Sequence, residues 1–186
     1  MSSKSYLGAL DSVLRPAGFA RTGRNWIRFR DGFEDCVNLQ VSSRAGTTAN
    51  ISSKDLATDA IWKEAVPPGS PGLYYHTTVR IGQLMDRTDH WWRRDPNGPE
   101  ELSQAILTYA LPYLDSRRSL ENQALGFGRY DTSGFNARLR IGLAITLHRM
   151  DEHDEACAAL ANPPKRLLPS WLTQIEAVRR RLGCGD

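Results

Sequence analysis

Arg28 and Arg30, Asn38 and Gln40, and Asn50 and Ser52 form three polar pairs, each two positions apart. In an extended chain that spacing turns both members of a pair to the same side. Guanidinium groups bind carboxylates and phosphates through charge-assisted hydrogen bonds, and amides add donors and acceptors. If all the strands share one parity, Trp26, Arg28, Arg30, Asn38, Gln40, Asn50, Ser52 and Arg80 gather on one sheet face able to hold an anion or a partner's backbone. The commoner use of such a face is plain solvation. Asn and Gln form strands poorly, and their recurrence in adjacent segments keeps the binding reading open. Trp91 and Trp92, followed by Arg93 and Arg94, extend the candidate site. Stacking on nucleic-acid bases is one use of such a run. One indole in the core and Trp91 at an exposed rim is the simpler one.

No other grouping points to a reaction, and no catalytic residue is assigned. His148 and His153, with Asp151, Asp154 and Glu155, look like a metal cluster. A spacing of five, unlike the four of an HExxH helix, does not put both imidazoles on one helix face. His90 beside Asp86 and Asp89 lacks a nucleophile, and His76 carries no signal. Gly126 to Gly134 is rich in glycine, but it lacks the Lys-Ser/Thr ending of a phosphate loop and no strand precedes it. Arg179, Arg180 and Arg181 suit the C-terminal end of a helix. The three cysteines, Cys36, Cys157 and Cys184, form no short-spaced pair. The expectation is therefore no structural zinc, no cofactor and no disulfide framework, and hence a reducing compartment.

The elements that would carry the polar face follow from periodicity. The 186-residue chain is 40% hydrophobic and 24% charged, with a formal charge of +3. That composition describes a globular domain and lacks the concentrated basic footprint of a nucleic-acid binder. Tyr6, Leu7, Leu10, Val13 and Leu14 place a helix over residues 4 to 15, ended by Pro16 and Gly18. Residues 25 to 30 alternate, Asp31-Gly32 signals a two-residue hairpin, and residues 33 to 43 and 47 to 54 continue a meander. Ile27, Val37, Leu39, Ile51 and Ile81 are expected on the face under the first helix. A short helix over 55 to 65, a loop at Pro67 to Gly72 and a fourth strand over 74 to 84 follow. From Pro99 the chain reads as helical: 100 to 113 with Tyr109 inward, then 119 to 127, 136 to 150, 154 to 160 and 171 to 182. The fold class is α+β: an N-terminal helix packed on a four-stranded, mainly antiparallel sheet, then a helical C-terminal region. We read 1–186 as a single domain, with a sheet portion 1–96 and a helical portion 97–186.

Leu14-Arg-Pro-Ala-Gly-Phe19, Val37-Asn-Leu-Gln40, Arg80-Ile-Gly82 and the Trp91-Trp92 pair resemble the bacterial family called domain of unknown function 4304, over about residues 5 to 95. The resemblance implies no activity, cofactor or substrate.

The expected function is a non-catalytic protein-binding module, an adaptor or an immunity protein against a cognate toxin, using the polar sheet face. The alternatives are a small anionic-ligand or nucleotide-binding protein and an enzyme of unrecognised type. Nucleic acid is disfavoured. Without an apolar leader-like run or about 20 consecutive apolar residues, no membrane association is expected, and the location is read as cytoplasmic.

Overall fold

Asp31 and Gly32 take φ of 53° and 78°, the left-handed values of a type I′ turn, and so close the hairpin between β2 (Asn25–Arg30) and β3 (Phe33–Ser42). The computed structural model describes residues 3–70, 75, 77–86, 89–93, 95–128, 137–161 and 167–185. Its sheet has five strands in the order β1-β2-β3-β4-β5, with β1 (Ala20–Thr22), β4 (Gly46–Asp55) and β5 (Thr77–Arg80) completing it. The fold is thus α+β with an antiparallel sheet. The expectation of four strands missed β1, whose three residues are too few to show a period. β5 stops at Arg80, so Ile81 enters the core from α3 (Ile81–Leu84), a single helical turn, and not from a strand.

The described chain forms two compact units. The first comprises Met1–Ser53 and Thr78–Ser116. Here α1 (Ser3–Leu14) buries Tyr6, Leu10 and Leu14 with Trp26, Val37, Leu39, Ala49 and Ile51 of the sheet. α4 (Gly98–Ala105) packs beside α1; it starts with Pro99 and two glutamates, which suit the positive helix N-terminus. α4 continues through a π-helical turn (Ile106–Ala110) into α5 (Leu111–Ser116). The extra residue in that turn aligns Leu102, Ile106, Ala110 and Leu114 inward and leaves Tyr109 exposed, against the expectation for a uniform helix.

The second unit comprises Lys54–Thr77 and Arg117–Asp186. It holds α2 (Leu56–Ala65), α6 (Leu120–Gly126), α7 (Ala137–Arg149), α8 (His153–Ala161) and α9 (Pro169–Leu182). Asp55 caps α2 and Ser119 caps α6, each accepting a backbone N–H. Trp62 lies in this core, its indole N–H donating to Gln174 Oε1 at 3.1 Å. α7 and α8 form a helical hairpin, turned at Asp151 with φ 62°.

Cys157 and Cys184 are joined by a disulfide, with a Cα–Cα distance of 5.4 Å. The expectation of no disulfide framework did not foresee this single bridge, which removes the cysteine argument for a reducing compartment. Separation in sequence says nothing about the Cα distance a bridge needs, and the arrangement of α8 and α9 supplies that distance. Among the described residues no helix is long and apolar enough to cross a membrane. The expectations for His76, Arg94, residues 129–134, and the ends of the predicted elements at 71–74 and 136 lie outside the described residues.

Candidate functional site

The hairpin register divides the predicted polar face in two. Arg30 pairs with Phe33, Arg28 with Asp35, Trp26 with Val37 and Asn25 with Asn38. Residues directly opposite one another on paired strands point to the same side. Trp26 and Arg28 therefore share the core face with Val37, and do not stand beside Asn38 and Gln40. Ile27, expected in the core, is opposite Cys36 on the other side.

Arg28 is 6% exposed and Asp35 is fully buried. Its Nε and Nη2 donate to Asp35 Oδ2 at 3.0 and 2.9 Å, and Nη2 also reaches Asp115 Oδ1 at 2.9 Å. The guanidinium stacks 4.7 Å above the Phe19 ring. Arg30 lies at the open end of this cluster, 3.6 Å from Asp115 and 3.2 Å from Asp31. Trp26 donates to Asp11 Oδ1 at 2.8 Å, and Arg15 and Arg21 pair with the same carboxylate. Burial works to raise the Asp11 pKa, but these hydrogen bonds and charges outweigh it and hold the carboxyl below its ordinary range. Arg28 and Trp26 are thus structural.

The other face keeps Asn38, Gln40, Asn50, Ser52 and Arg80. Asn38 Nδ2 donates to Asn25 Oδ1 at 2.7 Å, and Asn50 Nδ2 is within 3.1 Å of Asn38 Oδ1 and 3.2 Å of Gln40 Oε1. Ser52 meets Thr78 at 3.0 Å across β4 and β5, which puts Arg80, two residues on, on the same side. Arg80 donates to Asp89 at 2.6 Å and lies 5.2 Å over the Trp91 ring, while Trp91 donates to the same Asp89 oxygen at 2.9 Å. The Arg80 and Trp91 hydrogen bonds hold Asp89 below the usual carboxylate range. The amides of this face bond to one another, and its arginine has its own acid. Asn25 was missed, although a two-residue hairpin necessarily sets it opposite Asn38.

Different residues carry unmatched charge. A cleft of about 650 Å³ lies beside the turn between β3 and β4, lined by Tyr6, Val41, Ser43, Arg44, Thr47 and Arg93 among others. Its frame is rigid for local reasons. Ser42 Oγ accepts the backbone N–H groups of Arg44 and Ala45 at 3.3 and 3.1 Å. Thr47 and Trp92 exchange both backbone hydrogen bonds, at 3.1 and 2.9 Å. Gly46, at φ +109°, lets the turn close on that segment, because a Cβ there would stand 2.9 Å from the Trp92 carbonyl carbon. Trp92 is anchored in turn by its indole N–H to Glu101 at 2.8 Å.

Arg44 and Arg93 thus stand on two segments held together by backbone. Both are exposed, and neither meets a carboxylate among the described residues; of the unit's other described arginines, Arg15, Arg21, Arg28, Arg30 and Arg80 do, and Arg24, away from the cleft lining, does not. The Tyr6 hydroxyl is buried and meets no hydrogen-bond partner among the described residues. Burial, with Asp95 and Glu101 adding to it, raises its pKa, so it remains a protonated donor at neutral pH. No histidine, cysteine or carboxylate lines the cleft among the described residues. The arrangement offers an anion two cations and the hydroxyls of Ser42, Ser43 and Thr47.

His148 and His153 sit at the facing ends of α7 and α8, their rings edge to face at 5.8 Å. Among the described residues no three His, Cys, Asp or Glu side chains group to hold a metal ion. His90 packs edge-on against Trp92 at 4.4 Å.

A family model described as a domain of unknown function (DUF4304) matches residues 10–116. The match takes in every described strand, both arginine-bearing segments of the cleft, the end of α1 from Leu10, and the helices α2 through α5. No curated protein and no solved structure matches the chain.

Proposed function

The chain belongs to the DUF4304 family, and from that premise we propose that its sheet unit is a non-catalytic binding domain for a small anionic ligand bearing a phosphate or carboxylate, held in the cleft between Arg44 and Arg93. The observation that carries this reading is a pair of arginines that meet no acid among the described residues, on a rigid frame, at one concavity. Guanidinium groups of one sign placed together repel, and an anion between them relieves that repulsion. Small-molecule pockets typically enclose about 300–1,000 Å³, and the cleft, at about 650 Å³, falls inside that range. Capture of another protein, a toxin among the candidates, would instead set an acidic side chain on the same guanidinium groups. The concavity favours the smaller ligand, and the self-paired amide face gives a partner protein fewer open groups.

Calorimetric titration with pyrophosphate and with citrate tests the reading. One of the two should bind, and Arg44→Gln and Arg93→Gln should each weaken binding by about tenfold or more, equivalent to about 1.4 kcal/mol. Failure of both anions to bind, or unchanged affinity in both variants, overturns it. Binding only to an acidic peptide would favour protein capture in its place.

A further inference from the structure

The second unit contains a grouping that the anion cleft does not use. On α8, His153 Nε2 lies 3.6 Å from Cys157 Sγ, four residues and one helical turn away. Cys157 is bridged to Cys184, just past the end of α9. Both cysteines are half-buried, so the bridge is within reach of solvent. On the Cys184 side the contacts are to backbone: its N–H donates to Arg179 O at 3.0 Å, and Arg179 Nη2 donates to Gly185 O at 3.1 Å. Of the two sulfurs, Cys157 Sγ is therefore the one with a nitrogen base beside it. Disulfide exchange is limited by how well the departing sulfur carries negative charge, so this neighbour marks Cys157 as the sulfur suited to leave.

We propose that Cys157–Cys184 is a reversible thiol–disulfide exchange site, reduced by a dithiol, with His153 as the acid at Cys157. One thiolate of the dithiol attacks Cys184 Sγ. The electron pair of the protein S–S bond leaves on Cys157 Sγ, which takes a proton from His153 Nε2. The second thiolate of the reductant then attacks the reductant's own sulfur in the mixed disulfide and releases Cys184 as a thiolate. One protein disulfide and one dithiol become one protein dithiol and one reductant disulfide. Attack falls on Cys184 because the better-assisted leaving sulfur is Cys157. Opening the bridge unties the segment after Gly183 from α8 and leaves the backbone cap of α9 in place, since that cap depends on Gly183 in the left-handed region at φ 73°.

The purified full-length chain should be isolated with Cys157 and Cys184 bridged, after equilibration with oxidised glutathione and mass mapping of alkylated peptides. Dithiothreitol should reduce it in a single phase. His153→Ala, at an exposed position, should slow that reduction by about threefold to tenfold, and added imidazole should restore part of the rate. In Cys157→Ser, glutathione should be found on Cys184. Free thiols at both positions after equilibration, reduction of His153→Ala at the unaltered rate, or a slowed rate that imidazole does not restore would each overturn the proposal.

Discussion

Replacing Arg28 with alanine is the sharpest test of how the first unit is built. Asp35 is fully buried and receives two hydrogen bonds from Arg28, at 3.0 and 2.9 Å. Removing the guanidinium leaves that carboxylate in the core without its main cation, which typically costs about 3–5 kcal/mol. Asp115 adds little to the loss, since its side chain is 49% exposed and can rehydrate. Against a total stability of about 5–15 kcal/mol, the change removes about a fifth or more. With a urea dependence of about 2 kcal/mol per molar, the midpoint should fall by about 1.5–2.5 M. Arg30→Ala is the control: its side chain is 54% exposed and pairs only with partly exposed acids. That change should shift the midpoint by less than about 0.5 M. Circular dichroism and tryptophan fluorescence should be followed together, because two units need not unfold in one step. Arg28→Met with Asp35→Leu removes both charges and should recover much of the loss. Equal midpoints for Arg28→Ala and Arg30→Ala would refute the reasoning.

Two further outcomes follow from particular contacts. Asp11 is held below its ordinary pKa in the folded chain, so its contribution is complete above about pH 4 and is lost as pH falls through the lower folded value; Asp11→Asn should flatten stability against pH on that acid limb, and an unchanged limb counts against the Trp26–Asp11 contact. A Cβ at Gly98 would collide with the Tyr6 hydroxyl and stand 3.2 Å from Trp92 Cβ, so Gly98→Ala should cost about 1–3 kcal/mol by thermal melting, with part regained in Gly98→Ala/Tyr6→Phe. No recovery in the double variant would show that the hydroxyl is not the obstacle.

Much of the fold could be read in advance because the chain changes period where its structure changes. The stripe of Tyr6, Leu10 and Leu14 is helical, and Ala49 and Ile51 alternate with Asn50 as a strand requires. Features held by long-range contact could not be read. The Arg28–Asp115 contact spans 87 positions, and the Cys157–Cys184 bridge spans 27. The cleft joins residue 6 to the β3–β4 turn and to Arg93 through one isolated bridge, Thr47 to Trp92, which leaves no period to detect. The π turn at Ile106–Ala110 shifted the phase of a helix whose apolar pattern was otherwise sound.

The parity of the first hairpin is a different case, because it was present in the sequence all along. A two-residue turn at Asp31-Gly32 makes opposite residues sum to a constant, so Arg30 opposite Phe33 requires Arg28 opposite Asp35 and Asn25 opposite Asn38. Setting Arg28 beside Gln40 contradicts that turn. Polarity argued the other way, since Ile27 and Phe29 look internal and Arg28 external. The structure inverts this: Phe29 is 68% exposed and Arg28 6%. The inversion is tolerable only because Asp35, Asp115 and the Phe19 ring surround the charge. Turn geometry acts on every residue of both strands at once, whereas the polarity of a single side chain can be offset by one buried acid. Where the two disagree, the register set by the turn is the stronger guide to which arginines are structural. Among the described residues Arg44 and Arg93 meet no carboxylate, and they are for that reason the arginines proposed for binding.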